Sequence, residues 1–64
     1  MSVREEVKIL LLKENKTMVY LAKELGTTPD NLSHKLSKGT LRFEDVERIA
    51  EILGYKIIFM KNNA

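Results

Sequence analysis

The chain contains no cysteine, so neither a disulfide framework nor a thiolate metal site is open to it. It has one histidine, His34, with no partner ligand in view, and neither a metal nor a cofactor is expected. Long apolar runs are missing as well. Residues 9–12 and 57–60 are apolar but fall far short of the about 20 residues that a membrane-spanning helix needs. The N-terminal stretch lacks the apolar region and small-residue cleavage site of a secretory signal. A cytoplasmic protein with no membrane partner is the expectation. Internal repeats and low-complexity segments are absent and no linker divides the sequence, so residues 1–64 read as one domain. At 64 residues it lies near the lower limit at which one core holds a fold without disulfide, metal or partner chain. That length leaves no spare room for an enzyme cleft, and no catalytic residue is assigned. Ser33 and His34 are neighbours, and successive helical side chains diverge by about 100°, too far to form a nucleophile and base pair. A surplus of one charge is also lacking: 11 Lys and Arg face 9 Asp and Glu, a formal +2. The overall field is therefore a weak argument for a nucleic-acid partner, and the placement of charge has to carry more weight.

What is present is organised around residues 17–39, TMVYLAKELGTTPDNLSHKLSKG, which hold two helical patterns joined by a glycine-containing corner. Leu21, Ala22 and Leu25 share one face of the first helix, Thr17 is placed to cap it and Gly26 to end it in a left-handed conformation. A second start follows almost at once: Thr28 as N-cap, Pro29 at the first helical position, Asp30 at the positive end of the helix dipole. Leu32 and Leu36, four apart, form the inner face of this helix. Asp30, His34, Ser37 and Lys38 then point outward, with Ser33 and Asn31 on the flanks, and the outward face is polar throughout. Ala22 is small where a bulkier side chain would push the two helices apart.

Two further helices flank the corner. Residues 2–14 are rich in helix formers, with Glu5 and Glu6 early and Lys13 late, as the dipole prefers. Val3, Val7, Leu10 and Leu11 share one face, while Ile9 and Leu12 project from another and need separate cover. Residues 43–53 carry the stripe Val46, Ile49, Ala50 and Leu53 and stop at Gly54, and Leu41 in the preceding loop points to the core. Glu44, Asp45, Glu47 and Glu51 are spaced as a solvated helix face rather than as a metal site. The predicted helices are thus about 2–14, 17–25, 29–38 and 43–53. Residues 55–60, YKIIFM, are β-branched and aromatic and follow a glycine, which predicts a strand, with the tail KNNA polar and frayed.

A lone strand has unpaired edges, and no other segment here reads as β. Two copies pairing antiparallel across a two-fold axis would satisfy it, with Tyr55, Ile57, Ile58, Phe59 and Met60 packing between subunits and against Ile9 and Leu12. The other reading is that YKIIFM extends the fourth helix or packs irregularly on its own domain. Tyr55 and Phe59 read as ribbon or core residues rather than as a base-stacking platform.

Thr17, Leu21-Ala22, Leu25-Gly26, the segment 28–36, Val46, Ile49-Ala50 and Leu53-Gly54 together resemble the Cro/repressor-type helix-turn-helix family, the Xre family, of phage and bacterial transcription regulators. The resemblance covers most of the chain, and the run TTPDNLSHKLSKGTL is similar to a subgroup of short, single-domain members with a strand after the fourth helix. It implies a mostly α fold: a four-helix Cro/repressor-like domain with one C-terminal β-strand paired across a dimer. It implies that residues 28–38 enter the major groove of double-stranded DNA while the second helix braces them across the backbone. Carried over by position, Thr28, Pro29, Asp30, Ser33, His34 and Ser37 become base-contact candidates. Thr17 and Met18 match phosphate-contact positions, and Lys35, Lys38, Thr40 and Arg42 lie where further phosphates would be neutralised. Met18 departs from the family's glutamine and leaves only backbone amides there. Asp30 also replaces a common glutamine; it either accepts a hydrogen bond from a cytosine amine or only stabilises the helix start.

The expected function is sequence-specific DNA binding by a homodimeric transcriptional regulator, a repressor acting on a palindromic operator, with no small-molecule ligand and no enzymatic activity. The alternative is a protein-interaction module, antitoxin-like or anti-regulator, on the same scaffold, using the apolar strand as its docking edge.

Overall fold

The computed structural model describes residues 2–62. Four helices follow one another: α1 (Val3–Lys13), α2 (Met18–Leu25), α3 (Pro29–Lys38) and α4 (Phe43–Ile52). Their boundaries are set by local chemistry. The hydroxyls of Ser2, Thr17 and Thr28 accept hydrogen bonds from the backbone N–H groups of Glu5, Tyr20 and Asn31 at 3.2, 3.1 and 3.2 Å, which satisfies one orphan donor at each helix start. α4 uses a different cap. The Asp45 carboxylate accepts from the Arg42 backbone N–H at 3.1 Å; a guanidinium has no acceptor atom, so the Arg42 side chain takes no part. At the far ends the chain turns through left-handed residues, Asn15 at φ 55° after α1 and Gly26 at φ 75° after α2. Thr27 N–H then reaches back to the Ala22 carbonyl at 2.9 Å, closing the end of α2 and aiming the chain into the Thr28 cap.

α2 packs on both α3 and α4, and α1 packs on α3. The core between them is Val7, Leu11, Leu21, Ala22, Leu32, Leu36, Ile49 and Leu53, with Leu10, Met18, Leu25, Leu41, Ile52 and Tyr55 partly buried around it. Leu21 and Ala22 are completely covered. No polar or charged side chain is buried among the described residues, so burial of apolar surface is the dominant favourable term holding the helices together.

The strand expected over residues 55–60 is not present: that segment is neither helix nor strand. A strand exists only within a ladder, and residues 2–62 offer it no second strand. Nor does the segment extend α4, because Gly54 at φ 88° reverses the chain and the Tyr55 N–H bonds back to the Ala50 carbonyl at 2.7 Å. The segment instead lies against its own domain, with Tyr55 and Ile57 half-buried and Lys56 and Ile58 exposed. Phe59, read as a ribbon or core residue, is 91% exposed and stacks on Phe43 of α4 with ring centroids 6.4 Å apart and planes 13° from parallel. The end of the polar tail, Asn63 and Ala64, lies outside the described residues.

Candidate functional site

The three-residue turn between α2 and α3 is short because both of its ends are specified: Gly26 ends one helix and Thr28 starts the next. Covered Ala22 and nearly covered Leu32 mark the close approach of the two helices. With Leu32 and Leu36 turned inward, the opposite side of α3 is fixed by the 3.6-residue period alone.

That outer side is fully polar. Asp30, Asn31, Ser33, His34, Ser37 and Lys38 are all exposed, and from Asp30 to Ser37 they extend over about 10 Å of helix axis. Among the described residues, the side chains of Asp30, Ser33, His34, Ser37 and Lys38 make no hydrogen bond or ion pair, so their donors and acceptors are open to a partner. Thr28 and Pro29 differ. The Thr28 hydroxyl oxygen is engaged as the cap of α3, leaving its O–H as a donor, and Pro29 is half-buried at the first helical position. Asn31, on the flank, is as exposed as the assigned residues and adds an amide to the row.

Cations gather at the C-terminal end of α3. Lys35 and Lys38 lie in its last turn, and Arg42 follows after a short loop whose Thr40 N–H is held by the Lys35 carbonyl at 3.2 Å. All three basic side chains are exposed, and because the α4 cap uses only the backbone of Arg42, its guanidinium is left for an outside anion. At the start of α2, Thr17 caps the helix through its hydroxyl, and the N–H groups of Met18 and Val19 have no partner within the helix, a geometry suited to a phosphate oxygen. The Met18 side chain itself is packed against the core.

Sequence reasoning missed one member of this end of the domain. Lys16 is exposed and its Nζ lies 4.7 Å from the centroid of the Tyr20 ring, which holds a cation beside the first turn of α2. The four-residue spacing of Lys16 and Tyr20 was the available signal. Of the residues expected at a dimer interface, Ile9 and Leu12 are exposed on α1, Tyr55 and Ile57 are partly covered, and Ile58, Phe59 and Met60 stand out into solvent.

No grouping of His, Asp and Glu suited to a metal ion occurs among the described residues, and no described helix is long and apolar enough to cross a membrane. Compared with known proteins, the chain matches no family model, no curated protein and no solved structure.

Proposed function

We propose that the protein is a sequence-specific double-stranded DNA-binding regulator of the Cro/repressor helix-turn-helix type, acting in the cytoplasm as a homodimeric repressor on a palindromic operator. The observation that carries this reading is the open polar face of α3 with Lys35, Lys38 and Arg42 gathered at its C-terminal end, together with the unpartnered amides at the start of α2. A major groove about 12 Å wide admits one α-helix, and a face without bulky apolar groups suits its floor of donors and acceptors. In this reading Asp30, Ser33, His34 and Ser37 select bases, with Thr28 and Pro29 beside them. Lys35, Lys38, Thr40, Arg42, Thr17 and the Met18 amide hold phosphates. Phosphate contacts supply most of the affinity and base contacts the specificity. Two such faces related by a dimer axis meet successive major grooves when they lie about 34 Å apart.

A protein-interaction module on the same scaffold is the second reading, favoured by the exposed apolar side chains of Ile58, Phe59 and Met60. Selection of preferred duplexes from a random pool separates the two. The DNA reading expects a palindrome whose half-sites are spaced by about one helical turn. It also expects affinity that falls steeply with salt, with Lys38→Ala lowering the slope of log K against log salt by about one unit. Binding that shows no sequence preference and no dependence on salt overturns it.

A further inference from the structure

The entry to α2 is held from both sides. Before it, the Asn15 N–H donates to the Leu12 carbonyl at 3.2 Å and the Lys16 N–H to the Leu11 carbonyl at 2.9 Å, with Asn15 at φ 55°. The backbone of Lys16 is thereby fixed against the last turn of α1. After it, the Tyr20 N–H donates to the Thr17 hydroxyl at 3.1 Å, which fixes the first turn of α2. Lys16 and Tyr20 are thus two attachment points with little backbone freedom between them, and the Lys16 Nζ lies 4.7 Å from the centroid of the Tyr20 ring.

A ring differs from a carboxylate as a resting place for a cation. It attracts the ammonium through its quadrupole but carries no formal charge, so the full positive charge stays available on the side away from the ring. Lys16 is in no ion pair among the described residues. Glu14, two residues before it, accepts a hydrogen bond from the Tyr55 hydroxyl. The result is an exposed ammonium over a half-buried ring.

Nothing else in the first turn of α2 carries such a charge. Met18 packs its side chain against the core, Val19 is apolar, and the Thr17 hydroxyl oxygen is taken up by the cap. The next cation along the chain, Lys23, lies in the last turn of the helix.

We propose that Lys16 is a phosphate-holding residue of the DNA interface and that Tyr20 positions it. The ammonium rests on the ring in the free protein and donates to a phosphodiester oxygen beside the first turn of α2 in the complex. This role rests on the double-stranded DNA reading above and adds two residues to it. A lysine with an unrestrained four-carbon stem loses rotamer freedom when a phosphate orders it. The ring restricts the stem beforehand, so less is lost on binding. The contribution of Tyr20 therefore appears in affinity alone, whereas the charge of Lys16 also appears in counterion release and hence in salt dependence.

The test titrates the whole chain with a duplex selected from a random pool, over a range of salt. Lys16→Ala is expected to lower the slope of log K against log salt by about one unit, roughly an eightfold loss of affinity at about 0.1 M salt, and Lys16→Arg to restore the slope. Tyr20→Leu is expected to keep the slope and lose about two- to fivefold in affinity. The conservative Tyr20→Phe recovers that loss, because the Tyr20 hydroxyl makes no hydrogen bond among the described residues. Without DNA, proton NMR is expected to show the Lys16 side-chain methylenes shifted upfield by the ring in the parent and in Tyr20→Phe, but not in Tyr20→Leu. Circular dichroism checks that each variant remains helical. A steep salt slope that Lys16→Ala leaves unchanged overturns the role of Lys16 while the DNA reading stands; a parent that binds no duplex overturns both. Parent affinity in Tyr20→Leu, equal losses in Tyr20→Phe and Tyr20→Leu, or methylene shifts indifferent to the ring overturn the positioning role of Tyr20.

Discussion

The Tyr55 hydroxyl donates a hydrogen bond to Glu14 Oε2 at 2.9 Å, joining the residue after the α4 turn to the end of α1 across 41 positions of sequence. This contact anchors the start of the C-terminal segment. It also holds the Tyr55 phenol above its ordinary value, first because its O–H donates a hydrogen bond to the Glu14 carboxylate, then through partial burial and the repulsion between two anions.

The phenol is therefore expected to titrate above 10.0 in the folded protein. A group whose pKa is raised on folding stabilises the fold below its unfolded pKa and stops doing so as pH climbs through the folded one. The contact is thus intact at neutral pH and lost only in strong alkali. Absorbance titration of a Tyr20→Phe background isolates Tyr55; adding Glu14→Ala is expected to lower the midpoint, and an unchanged midpoint would contradict this cause.

Ile49 is 1% exposed and sits where α4 meets the core. Ile49→Ala is expected to cost about 2–5 kcal/mol. A domain of this size has a total stability on the order of 3–10 kcal/mol, so thermal unfolding by circular dichroism should begin near room temperature or lose its cooperativity. Val19→Ala, at a residue 63% exposed, is expected to leave the transition nearly where it was.

At Gly26 the backbone has φ 75° and an added Cβ would meet no atom within 4 Å. The cost of Gly26→Ala is therefore conformational rather than steric, about 1–2 kcal/mol in urea unfolding. Gly26→Asn should cost less, because asparagine tolerates the left-handed region.

On the DNA-binding reading, the caps of α3 and α4 respond differently to substitution. Thr28→Ala removes the hydroxyl that accepts from Asn31 and is expected to destabilise the fold by about 1 kcal/mol. Arg42→Ala keeps the backbone N–H that Asp45 binds, so its unfolding midpoint should hold while duplex affinity and its salt slope both fall. Equal loss of stability in both variants would count against this division.

Asp30 is exposed in the first turn of α3 and has two possible roles. If it accepts from a cytosine amine, Asp30→Gln changes the preferred base at one position of each half-site in the selected pool. If it only complements the helix dipole, the preferred sequence stays the same and the melting temperature drops slightly.

The helices were legible because their signals are local. Thr17 and Thr28 lie within three residues of the amides they cap, and the spacing of Leu21, Ala22, Leu32 and Leu36 shows their inner faces without reference to the rest of the chain. The outer face of α3 followed by subtraction. Lys16 was overlooked because its significance depends on the ring of Tyr20, a contact that composition does not show. The strand expected over residues 55–60 is absent for a related reason: a β-branched and aromatic run indicates residues suited to a half-buried surface and says nothing of which chain provides that surface.

The sequence by itself thus determined the four helices, the Thr17 and Thr28 caps, the inward residues and the polar outward row of α3, since each depends on interactions spanning a few residues. Only the tertiary structure decided that residues 55–60 fold back onto α1 and α4, that Tyr55 bonds Glu14, and that a groove opens beside Val3 rather than beside Leu12. Those outcomes depend on which of several apolar faces meet. Burial of apolar area is non-directional, and the choice among faces is made by the shape of the assembled core.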